Sequence, residues 1–224
     1  MKIVEEGYSR STALSLMQTL AMNQTQAVTY KALSHDMAHG ETGPDENTIT
    51  SYLELFDRLF LTENLPGWEP PMRAKARVRV KPKRYFVDPS LGAALIGATP
   101  DRLLRDTQSL DMLFEALVLR DIRVLLSSYP GLGNTVSYYR DDKGLEVDLI
   151  IEHNSQWAGL EVKLSETKID EAVISLQRLR AKVASNPAAR NAEPVFLAVI
   201  VGKGNLAYTR PDGIHVIPAS TLTA

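Results

Sequence analysis

Apolar residues at Leu14, Met17, Leu20 and Ala21 recur at helical intervals and predict a helix over about Ser9–Asn23. A second short helix is expected over Tyr30–Ala38. The stretch HGETGPDENT is turn-rich, and a third helix follows it with Ile49, Leu53, Phe56 and Leu59/Phe60 at helical spacing. Pro44, Asp45 and Glu46 suit its start, because acids favour the positive end of a helix. LPGWEPP reads as a turn and RAKARVRVKPKRYFVDP as an extended edge ribbon, since Pro82 fits poorly in a central strand. Three helices and then a ribbon is the order of a winged helix-turn-helix, which would occupy residues 1–89.

The second half, residues 90–224, changes period. After a helix-rich stretch, Leu113, Leu117, Val118, Ile122 and Leu125 line one face of a helix over about Ser109–Ser127. Strands are expected at Thr135–Arg140, Leu145–Glu152 and Gly159–Leu164, then an amphipathic helix over Lys168–Ala184. PVFLAVIVG is continuously apolar, as a buried central strand requires, and GIHVIP closes the chain as a short strand. The expected class is mixed α/β (α+β), with the order αβββαβ in the second domain.

Composition adds boundaries. Of the 224 residues, 44% are hydrophobic and 23% charged, enough apolar material for a core. With no cysteine, disulfides and cysteine-held zinc are excluded, and the four histidines lack ligand spacing. No apolar run reaches membrane length and the acidic N-terminus is unlike a signal peptide, so a cytoplasmic protein with no membrane partner is expected. The formal net charge of −2 gives no hint of nucleic acid, but its distribution does.

Between Arg73 and Arg84 there are no acids, and Lys75, Arg77, Arg79, Lys81 and Lys83 all fall at odd positions. Alternate residues of a strand share a face, so the pattern predicts a row of cations able to neutralise phosphates without reading sequence. The competing reading is an edge strand guarded by charge against pairing. The preceding helix is acidic and offers weak base readers, so little sequence specificity is expected, and its surface would equally suit a protein partner.

The richest stretch is GLEVDLIIEHNSQWAGLEVKL. If HNSQWA is a hairpin loop and Glu152 faces Trp157, Asp148 falls opposite Glu161 and Glu146 opposite Lys163. Opposed carboxylates destabilise a sheet unless a cation cancels them. A hard divalent ion, Mg2+ or Mn2+, does this and also takes phosphate oxygen, while a lysine two residues beyond the second acid stabilises developing charge. The plainer reading is a checkerboard of cross-strand ion pairs. Upstream, Glu115 interrupts an otherwise apolar helix in DMLFEALVLRDI.

The order helix-Glu, strand-Asp, strand-Glu-x-Lys, helix, strand resembles the PD-(D/E)XK nuclease superfamily, with Val147 where the motif's name has proline. TITSYLELFDRLFLTENLPGW, KPKRYFVDPSL, LFEALVLRDI, YYRDDKGLEVDLIIE, LEVKLSE and DGIHVIPASTL resemble successive landmarks of the domain of unknown function 4143. That domain is the C-terminal region of many prokaryotic AAA-type ATPases. The resemblance implies a restriction-endonuclease-like fold in the second domain and hydrolysis of phosphodiester bonds in nucleic acid. It implies metal ligation by Asp148, Glu161, the Val162 carbonyl and, through water, Glu115, with Lys163 beside the attacking water. It equally admits a non-catalytic interaction module of such an ATPase. No P-loop motif occurs and GKGN at Gly202–Asn205 is not one, so no ATP site is expected in this chain.

Overall fold

A computed structural model describes residues 7–38, 42–68, 81–132, 135–189 and 191–223. They form two compact units. The first holds residues 7–64 and 81–116 of the described chain, the second residues 65–68 and 117–223. The chain is a mixed α/β protein of the α+β kind.

In the first unit, helices α1 (Arg10–Met22), α2 (Tyr30–Met37) and α3 (Glu46–Arg58) precede a two-stranded sheet of β1 (Thr62–Leu65) and β2 (Lys83–Phe86). Short helices α4 (Pro89–Leu95) and α5 (Pro100–Leu103) lead to the long α6 (Thr107–Ser127), whose first half belongs to this unit. The caps explain the helix starts. Thr29 accepts the Ala32 amide, and Asp45 accepts the Thr48 amide at 2.8 Å. That bond and one from the Thr48 hydroxyl hold the Asp45 carboxyl below its usual range. Leu16, Leu20, Leu33, Ile49, Leu53, Phe56 and Phe86 fill the core. β1 was not foreseen, because TENL lacks the branched and aromatic residues that mark strands.

One buried residue of this core is out of balance. Gln24 is 1% exposed, and neither its amide nitrogen nor its oxygen has a hydrogen-bond partner. It lies so close to Gly92 that a Cβ there would stand 2.1 Å from Gln24 Nε2. An unsatisfied buried amide costs about 1–3 kcal/mol. Gln24→Met, similar in shape and apolar, is therefore expected to raise the melting temperature by about 2–6 °C. An unchanged or lower midpoint in a thermal melt would show that the amide is satisfied.

The second unit is built on a six-stranded sheet of order β3-β4-β5-β6-β8-β7. Its strands are β3 (Val136–Arg140), β4 (Glu146–His153), β5 (Gln156–Lys163), β6 (Leu197–Val201), β7 (Tyr208–Thr209) and β8 (His215–Pro218). β3, β4 and β5 form an antiparallel meander, and β5, β6 and β8 run parallel. Helix α7 (Ile169–Ala184) packs Ala172, Val173, Leu176, Leu179 and Val183 into a core with Val147, Ile150, Val199, Val201 and Val216. β6 is wholly buried, as its continuous apolar run predicts.

The β4–β5 hairpin has the expected register, with Glu152 facing Trp157, but a tighter turn. His153 pairs with Gln156 around Asn154 and Ser155, both at positive φ (50° and 64°). Two central residues in that region make a turn whose twist matches the strands. Trp157 is buried, 5.3 Å from the Trp68 ring, and donates from Nε1 to the Asn191 carbonyl at 3.1 Å. It covers the sheet end. Trp68 donates its amide to the Tyr138 carbonyl at 2.6 Å, and the Tyr138 amide donates to Pro66 at 3.0 Å, so residues 66–68 lie along β3.

Candidate functional site

The sheet brings Asp148, Glu161 and Lys163 together. Lys163 Nζ donates to Glu161 Oε2 at 2.7 Å and stands 3.6 Å from Asp148 Oδ2. Asp148 Oδ2 also accepts the Val162 amide at 2.9 Å. Both acids are buried residues, Glu161 to 3% exposure, while the Lys163 side chain keeps 22%.

A bulge places Asp148. Val136 and Ser137 of β3 pair with Ile151 and Ile150, but Tyr139 and Arg140 pair with Val147 and Glu146. Asp148 and Leu149 therefore stand opposite Tyr138 alone. Such an insertion bends the strand and re-aims the side chain at that point. Paired residues of β4 and β5 run up to Leu149 and Leu160, and at the next position the Asp148 carboxylate takes a β5 amide. The β4–β5 pairing keeps the expected register as far as it runs, and the bulge lies on the β3 side of β4. Glu146 pairs with Arg140 at 3.6 Å, and Lys163 serves Glu161 and Asp148.

Charge is unevenly shared in this cluster. Burial pushes the Glu161 carboxyl well above its usual range, and the Asp148 carboxylate adds to the effect. Lys163 pulls it the other way by charge and by its hydrogen bond. Both carboxylates lie against the Lys163 ammonium.

Glu115 belongs to the first unit. Its Oε1 accepts from Tyr85 Oη at 2.8 Å and from Lys83 Nζ at 3.3 Å. Lys83 is 1% exposed. It is thus corrected from the solvent-facing row of cations: all four residues of β2 are buried, and Lys83 is held by an acid 32 positions away. Lys81 is exposed. Lys75, Arg77 and Arg79 lie outside the described residues. Tyr85, the Val162 amide and Arg140 were not identified from sequence. Tyr85 sits in KRYF, which the sequence presents as part of the basic ribbon, and the other two are set by pairing between strands.

Among the described residues no group of three or more histidine, aspartate or glutamate side chains is placed to hold a metal ion. No helix among them is long and apolar enough to cross a membrane.

No curated protein and no solved structure matches the chain. Residues 5–102 match the profile of one domain of unknown function, DUF8612. Residues 110–222, which carry Glu115, the bulged strand, Glu161 and Lys163, match that of another. The second match spans half of the chain, and the protein belongs to the family Domain of unknown function (DUF4143).

Proposed function

We propose that Asp148, Glu161 and Lys163 form the centre of a divalent-metal-dependent phosphodiesterase acting on nucleic acid. The observation that carries this reading is the convergence of two buried carboxylates and one lysine at a strand bulge, on an antiparallel meander continued by parallel strands. The donor set fits the ion. Hard oxygen ligands suit Mg2+ or Mn2+, which take one or two carboxylates and keep several waters. Asp148 and Glu161 would hold it, with the Val162 carbonyl as a third donor. When bound, the ion supplies charge for the transferring phosphoryl group and lowers the pKa of water.

The chain's own residues do the remaining work. Lys163 orients the attacking water and stabilises charge on phosphate oxygen. Asp148 is itself positioned by the Val162 amide. Glu115 would have to exchange its bonds to Lys83 and Tyr85 before serving a metal, so the reading does not depend on it. Three helices followed by a two-stranded sheet support a winged-helix reading of the first unit, and the second unit would be nuclease-like. In that arrangement Lys75, Arg77, Arg79 and Lys81 contact phosphates. Replacing Arg77, Arg79 and Lys81 with Ala is expected to weaken binding about equally for unrelated DNA sequences and to flatten its salt dependence. Anisotropy titrations at two salt concentrations check this, and an unchanged affinity would make the row an edge guard.

A second reading has its own support. Lys163 already neutralises part of the acidic pair, and Glu46, Glu54 and Asp57 on α3 are exposed, as on a surface that receives protein. That would make the chain a non-catalytic module of an AAA-type ATPase. A thermal melt separates the two. Millimolar Mn2+ is expected to raise the midpoint of the parent, since a ligand at 100 times its Kd adds about 2.7 kcal/mol. Asp148→Asn should abolish the shift and any cleavage. A parent that does not respond to Mn2+ leaves the interaction module as the reading.

A further inference from the structure

Resting on that metal-centre reading, we propose that Lys163 is the resident cation of the site, that a divalent ion binds by displacing it, and that it thereby restricts the site to doubly charged ions. Nζ sits against both carboxylates, 2.7 Å from Glu161 and 3.6 Å from Asp148. These two carboxylates are the ones an entering ion would use. With Glu161 at 3% exposure and Asp148 at 9%, the pair is walled in by the sheet. An ammonium and a metal ion cannot both sit between such closely held oxygens, because two cations in contact repel strongly where water is scarce.

Which group moves follows from the anchoring. Asp148 Oδ2 is tied to the Val162 amide, a bond of the β4–β5 junction. Glu161 is buried on β5, next along the strand from the Leu149–Leu160 pair, and is itself paired with Val199 of β6. Lys163 is the last residue of β5, and its side chain is the most exposed of the three. Its flexible four-carbon stem carries a strongly hydrated head that regains water on leaving. The exchange therefore swings Lys163 outward and leaves the acids in place.

Selectivity and order of binding follow. A singly charged ion replaces one positive charge with another and gains little. A divalent ion brings a second charge to two carboxylates. The displaced ammonium can then turn to a phosphate oxygen, so metal loading creates the anion-binding group and precedes nucleic acid.

Two measurements test this on the full chain. In calorimetric titration with Mn2+, Lys163→Met is expected to bind about tenfold more tightly or better than the parent, because the competitor is gone. Lys163→Arg keeps the charge and should bind no more tightly than the parent. In parallel, 15N-edited spectra of the parent should show a lysine ammonium signal protected from exchange in EDTA and lost on saturation with Mg2+. Equal or weaker binding by Lys163→Met overturns the proposal, as does an ammonium signal that survives saturation. If Lys163→Met fails to fold, the parent spectra decide alone. Should neither protein bind Mn2+, the metal reading falls and this inference with it. Should only Lys163→Met bind, Lys163 is the blocking cation and the parent is no metalloenzyme.

Discussion

Lys83→Ala is expected to cost roughly 3–5 kcal/mol of stability, because it takes a buried cation away from the Glu115 carboxylate. The Lys83 side chain is 2% exposed and that of Glu115 17%, so water cannot fully take over the lost contact. Tyr85 still donates to Glu115 at 2.8 Å, but a neutral hydroxyl does not cancel a charge. Tyr85→Phe should cost about 1 kcal/mol by comparison. The combined change Lys83→Met with Glu115→Leu should recover much of the loss, since removing both charges also removes the burden of burying them. Urea unfolding of the four proteins decides the matter. If Lys83→Ala unfolds at the parent's midpoint, the pair contributes nothing.

Glu161 makes the second large effect one of pH. Its folded carboxyl titrates well above the usual 4.5, chiefly through burial and then through Asp148. Below the unfolded value both states hold the proton, and the favourable contribution is fully present. As pH rises through the folded value, the buried group must give the proton up and the contribution is lost. Glu161→Gln cannot ionise and carries no such term. In EDTA, the parent should therefore lose stability relative to Glu161→Gln as pH rises above the usual carboxylate range, and the gap should close again on adding Mn2+ to the parent. Equilibrium unfolding at four or five pH values measures it. A gap that stays constant across the range would mean that Glu161 titrates normally and that the cluster is already balanced.

These two residues also mark where sequence reading succeeds and where it stops. The hairpin register was legible because branched residues alternate with polar ones on both sides of a short loop, and the Glu152–Trp157 pair is found as expected. Asp45 was legible as a helix start because capping is local. The bulge was not, since Glu146, Val147, Asp148 and Leu149 continue an unbroken alternation that fits a regular strand equally well. Across β3–β4, Arg140 meets Glu146, a contact that no local pattern marks. Lys83 misled for a related reason. Alternating cations describe a strand's period but do not say which face is covered, and its partner Glu115 comes from a helix far along the chain. Local pattern carries the elements here, while the pairing of buried charges is settled by long-range packing.

The segment that lies along β3 has a bearing on how this protein behaves at high concentration. An unpaired sheet margin is a template for another molecule's strand, and it is the usual route to fibres and exchanged dimers. Here the Tyr138 amide and carbonyl are already taken by Pro66 and Trp68. At the opposite margin the last strand, β7, is only two residues long. Among the described residues, a neighbour would find the centre of β3 taken at one margin and only the two residues of β7 at the other. Loss of the Pro66–Trp68 segment would uncover Tyr138 and give polymerisation a place to begin.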